Sequence, residues 1–150
     1  MSAEQNLTDI VIYCIGGSTN HNWLSKDSKG NPHIEQLASD ANMFNVTYAT
    51  VNGTSGYYIN VAGDDSAYLT GEAGSGDVTY QTKTNASLWC FSKVKSASPQ
   101  SLNFQIVGQA GSLVYLYGTT NSSGGSLKMT SDTSSVRNNF LIMTPETPSC

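Results

Sequence analysis

Short β-type runs recur along this chain at nearly equal spacing, each broken by Gly, Asn and Ser, and that recurrence constrains the fold more than any single motif. The chain divides at about residues 9–55, 56–102 and 103–147. Each third opens with a run: Ile10-Val11-Ile12-Tyr13, Tyr57-Tyr58-Ile59-Asn60-Val61 and Phe104-Gln105-Ile106-Val107. A glycine follows each, at Gly17, Gly63 and Gly108. An aromatic beside a leucine comes next, in Trp23-Leu24, Tyr68-Leu69 and Tyr115-Leu116, with leucine spacings of 45 and 47. A third run follows at His33-Ile34-Glu35, Val78-Thr79-Tyr80 and Leu127-Lys128-Met129. The fourth carries an aromatic and an apolar residue two positions on, as strand alternation requires: Phe44 with Val46, Trp89 with Phe91, Phe140 with Ile142.

Three copies of four runs predict twelve strands and leave little room for helix; Ile34-Glu35-Gln36-Leu37-Ala38 reads as a loop or one turn at most. A length of 150 residues fits one domain. Eight Tyr, four Phe and two Trp spread through the chain supply a core that a disordered sequence would lack. The alternation assigns to that core Ile12, Leu24, Phe44, Ile59, Leu69, Trp89, Phe91, Ile106, Leu116, Phe140 and Ile142.

Twelve strands in three units of about 45 residues resemble a β-trefoil, the fold of ricin B-type and fungal fruiting-body lectins, mycocypin-type and Kunitz-type inhibitors and fascin-like proteins. The likeness spans nearly the whole chain and implies a single β-trefoil domain over 1–150 with pseudo-threefold symmetry. Where ricin B repeats carry Gln-x-Trp, this chain has Asn42-Met43-Phe44, Ser87-Leu88-Trp89 and Asn138-Asn139-Phe140. The aromatic recurs three times and the Gln never does, which implies packing residues. The positions where the lectins place a sugar-binding aromatic hold Pro32, Asp77 and Lys128, so the ricin-type sugar site is absent as written.

Charge excludes some partners. Seven Lys and Arg against eleven Asp and Glu give a net charge of −4 with no basic cluster, which argues against nucleic acid. No apolar stretch approaches the roughly 20 residues of a membrane-spanning helix. Met1 to Asn6 lacks the basic and apolar segments of a signal peptide, so a cytoplasmic location is expected. Three cysteines, at 14, 90 and 150, form no metal-binding spacing, and reduced thiols are the default reading, with Cys14 and Cys90 in apolar strands and Cys150 as an exposed thiol.

Motifs for catalysis are missing: the chain has no nucleophile elbow, no zinc-protease helix and no phosphate-binding loop. His21 and His33 with Asp27 lack the fixed spacing a metal demands and read as surface groups. Gly71-Glu72-Ala73-Gly74-Ser75-Gly76 reads as a hairpin loop, and Asp64-Asp65 as a turn. The chain is therefore read as non-enzymatic, with no cofactor and no metal.

Sugars are held by amides and carboxylates that bond vicinal hydroxyls and by aromatic faces that meet the apolar side of the ring. Two loops offer these groups: Asn20, His21 and Asn22 before Trp23, and Asp64 and Asp65 before Tyr68. The third copy, Gln109-Ala110-Gly111-Ser112 before Tyr115, is poorer. Together with the resemblance this points to a carbohydrate-binding protein whose partners are glycans or glycoproteins. The competing reading makes Trp23, Tyr68 and Tyr115 plain strand residues with rings facing the core. Two alternatives are a cytosolic protease inhibitor, acting through Thr50–Gly56 or Lys95–Ser101, and a lectin-like subunit of a larger enzyme complex.

Overall fold

The computed structural model describes residues 6–18, 21–36, 41–94, 101–121 and 124–142. Thirteen strands occupy them: β1 (Leu7–Ile10), β2 (Ile12–Ser18), β3 (His21–Lys26), β4 (Pro32–Glu35), β5 (Phe44–Val51), β6 (Thr54–Val61), β7 (Tyr68–Gly71), β8 (Val78–Gln81), β9 (Leu88–Lys93), β10 (Leu102–Val107), β11 (Tyr115–Asn121), β12 (Gly124–Thr130) and β13 (Phe140–Ile142). The helical residues described are two single 3₁₀ turns, Lys83–Asn85 and Val136–Asn138. The expected first strand is two, parted at Val11: β1 pairs with β5, whereas β2 pairs with β13 and β3. Within β1 the ladder slips between Leu7 and Ile10, where Asp9 takes a positive φ of 53°.

Seven strands close into an antiparallel barrel in the order β10, β11, β12, β4, β3, β2, β13 and back to β10. The other six extend from it: β9 lies on β10, β6 on β9, β5 on β6, β1 on β5, and the β7–β8 hairpin hangs from β6. This corrects the β-trefoil expectation. Pseudo-threefold symmetry requires three equivalent outer hairpins, and these are not equivalent: β3–β4 and β11–β12 join through the pairing of Gly125 with Ile34, whereas β8 pairs with β7 alone. Gly125 makes the join feasible. A Cβ there would stand 2.7 Å from the Thr119 carbonyl oxygen and 3.1 Å from the Ile34 Cβ, so only a glycine lets β4 approach so closely.

All eleven residues assigned to the core are buried, in one cluster with Leu7, Ile10, Ile34, Tyr57, Leu102 and Phe104 among others. Ring contacts run from Tyr48 to Tyr57 (5.5 Å between centroids), on to Phe91 (5.4 Å), Phe104 (4.8 Å) and Phe140 (5.0 Å). Trp89 is fully buried and its Nε1 donates to the Leu69 carbonyl at 2.9 Å, which satisfies the one polar atom of a ring that otherwise only packs.

The cysteines divide by environment. Cys14 is buried, its Sγ donating weakly to the Arg137 carbonyl at 4.0 Å. Cys90 is disulfide-bonded, which corrects the expectation of reduced thiols, and Cys150 lies outside the described residues. Among the described residues no helix is long and apolar enough to cross a membrane.

Candidate functional site

The two sugar-binding loops proposed from sequence fare differently. Asn20 and the side chain of His21 lie outside what is described. Asn22 is on β3, where its Nδ2 donates to the Cys14 carbonyl at 2.9 Å, so its amide braces β3 against β2. Trp23 stands opposite Tyr13 and Glu35 in the ladder, half-buried, with its ring edge-on to Tyr13 at 4.8 Å and 75°. Its ring is neither sealed in the core nor free of neighbours.

Asp64 and Asp65 form the turn between β6 and β7. The Asp64 amide donates to the Val61 carbonyl, and its carboxylate accepts from Lys26 Nζ, from Ser66 Oγ at 2.6 Å and from the Ser66 amide at 3.0 Å. The Lys26 hydrogen bond, with those of Ser66 behind it, pulls the Asp64 carboxyl down to about 2. Asp65 is exposed. Tyr68, half-buried on β7, has its phenol pushed up by burial and then by the nearby charge of Asp65.

Lys26 therefore ties the end of β3 to the second loop, while Trp23 lies three residues back, about 10 Å along the strand at roughly 3.3 Å per residue. The third loop is structural: Gln109 Oε1 accepts from the Ala73 amide at 3.2 Å, and its Nε2 donates to the Gly71 carbonyl at 2.8 Å and to Ser87 Oγ at 3.1 Å. Tyr115 is half-buried in the ladder between Gln105 and Thr130.

A cleft of about 210 Å³ opens between the β5–β6 hairpin, the segment Thr84–Leu88 and the end of β10. Its lining includes Asn52, Thr54, Tyr58 and Thr84, with Val51, Leu88 and Val107 contributing apolar surface. Tyr58 is the link: its ring meets Tyr68 edge-on at 5.7 Å and 84°, and Lys83 Nζ lies 5.3 Å from its centroid. Sequence reading had Asn52 and Thr54 only within the candidate inhibitory loop Thr50–Gly56, and missed Tyr58 and Thr84 as binding residues. The four come from two separate segments, the β5–β6 hairpin and the 3₁₀ turn Lys83–Asn85, and no local pattern announces that these meet.

Elsewhere the polar groups hold structure together. Asp27 Oδ1 accepts from the Asn31 and Lys29 amides, both at 2.9 Å, and the Asn31 bond leads in lowering its carboxyl. His33 Nε2 stands 3.6 Å from Glu35 Oε1. Among the described residues no group of three or more His, Cys, Asp or Glu is placed to hold a metal. Thr50–Gly56, one candidate inhibitory loop, is the tip of the β5–β6 hairpin: Val51 pairs with Thr54, and Asn52 (φ 51°) with Gly53 (φ 80°) makes a two-residue turn. Lys95–Ser101, the other, lies outside the described residues but for Ser101.

No known protein-family model matches the chain, and no curated protein matches it significantly.

Proposed function

We propose that this chain is a non-enzymatic carbohydrate-binding protein, and that its site is the cleft beside Tyr58 together with Tyr68 and Asp65. One observation carries the reading: an aromatic pair, Tyr58 and Tyr68, adjoins a concave surface whose remaining polar lining is hydroxyl and amide. Vicinal hydroxyls of a sugar find donors and acceptors in Asn52, Thr54 and Thr84, and its apolar face finds Tyr58, against which Tyr68 packs. At about 210 Å³ the cleft falls below the ~300–1,000 Å³ of sites for drug-sized ligands and suits a single sugar unit.

The inhibitor alternative is less well supported, because a tight two-residue hairpin does not present the extended segment that a protease cleft accepts. The glycan reading predicts saturable, sugar-competable binding on a glycan array, followed by calorimetric titration of the hit. Tyr68→Ala and Thr84→Val should each weaken that binding by about tenfold or more while the protein stays folded, the loss of roughly one stacking or hydrogen-bond contact. A blank array, or a hit whose affinity neither substitution changes, overturns the assignment. Asn22→Ala should leave binding unchanged and lower stability, since that amide serves the Cys14 carbonyl.

A further inference from the structure

We infer that the protein has a second, separate ligand site for a small zwitterion, with a free α-amino acid as its simplest occupant. The site is a cleft of about 270 Å³ where β4, β8 and β12 converge, lined in part by Asn31, Pro32, Asp77, Thr79, Ser126 and Lys128. Three ties hold its walls. β12 pairs with β4 through Gly125 and Ile34. The Met129 amide donates to the Gly76 carbonyl at 2.9 Å, fixing β12 against the turn that leads into β8. Tyr80 donates its phenol proton to the Ser25 carbonyl at 2.9 Å, fixing β8 against β3 and its partner β4. Each wall is thus braced against another before any ligand arrives, which lowers the entropic cost of binding.

The electrostatics select the ligand. The Asp77 carboxylate and the Lys128 ammonium both line this cleft, and neither forms an ion pair with the other or with any charged side chain among the described residues. A molecule with an ammonium and a carboxylate answers both, and each end gains a charge-assisted hydrogen bond. Thr79, Ser126 and Asn31 add neutral donors and acceptors for a hydroxyl or carboxylate oxygen. A sugar leaves both charges unanswered, and a simple anion or cation answers one and is repelled by the other.

The test is a ¹⁵N–¹H chemical-shift titration of the full chain with L-serine, set against ethanolamine and glycolate, which carry one charge each. Serine should shift the amides of Asn31, Asp77–Thr79 and Ser126–Lys128 saturably and leave those of Thr54 and Thr84 in place. Ethanolamine and glycolate should bind at least about tenfold more weakly, and about 0.5 M salt should weaken serine as well. Asp77→Asn and Lys128→Gln, both at exposed positions and each to be checked for an unchanged fold by its own amide spectrum, should each bring serine down to the level of the one-charge probes. Absence of saturable shifts up to about 50 mM serine, a dissociation constant that would correspond to under about 2 kcal/mol, overturns the proposal. Equal binding of serine and a one-charge probe overturns it too.

Discussion

Asp64 accepts hydrogen bonds from a lysine of a distant strand and from a serine two residues on, and its acidity records both. Because its folded pKa, about 2, lies below that of the unfolded chain, the interaction stabilises the protein above about pH 4 and is lost as pH falls toward 2. Lys26→Met should raise the Asp64 pKa toward the ordinary carboxylate value, as read by ¹³C NMR titration of the carboxyl. The pair is partly solvated, so the stability cost should be only about 0.5–1 kcal/mol in urea unfolding at pH 7, and it should vanish at acid pH. Trp89→Phe removes the donor to the Leu69 carbonyl and, with the smaller ring, leaves a void in the core, and should cost about 2–3 kcal/mol. At this scale the sequence was informative about apolar residues and poorly so about polar ones. Burial of Ile12, Trp89 or Phe140 follows from alternation, which each strand carries within itself. That the Asn22 amide faces the Cys14 carbonyl, or that the Gln109 amide reaches Gly71 and Ser87, depends on chain segments 8 to 38 residues away.

The β5–β6 hairpin is the element whose local sequence explains it most fully: eight paired positions converge on Asn52-Gly53, both with positive φ. Open space surrounds Gly53, so Gly53→Val is opposed by backbone strain alone and should cost about 1–2 kcal/mol by denaturant titration. Gly16 is a different case. A Cβ on it would lie 2.4 Å from the Arg137 amide nitrogen, so the 3₁₀ turn at Val136–Asn138 packs directly on the backbone of β2. Gly16→Ala should displace that turn and cost about 1–3 kcal/mol or more, with shifts visible at Arg137 and Asn138 in an amide spectrum. Turn residues and strand alternation made most strands readable, whereas the break between β1 and β2 was not. It comes from a change of partner at Val11, from β5 to β13 and β3, and no Gly or Pro marks it in the chain.

At the level of the whole molecule, twelve similar runs invited a symmetrical arrangement, and the structure departs from it: seven strands close a ring and six lie outside it. The sequence resemblance among the three units is real in their buried residues, but ring closure depends on which outer hairpins touch, and that is decided where Gly125 admits Ile34. The candidate cleft was hidden for a similar reason, since its walls are assembled from remote segments. Phe140 sits on the three-residue strand that pairs with both β2 and β10 to close the barrel. Phe140→Ala should cost about 3–5 kcal/mol in urea unfolding, a large part of the 5–15 kcal/mol that holds a domain of this size together.

The unequal attachment of the hairpins also sets an order in which the native protein opens. β7 and β8 hang from β6 outside the closed ring, whereas every ring strand is paired on both sides. In native-state hydrogen exchange with rising denaturant, the amides of Leu69 and Thr79 should therefore exchange through a partial opening well below the global unfolding free energy. Those of Leu116 and Leu141 should exchange only with complete unfolding. Since Tyr68 belongs to that hairpin, the same fluctuation exposes one wall of the proposed sugar site, and a bound ligand should slow exchange there before it affects any strand of the ring.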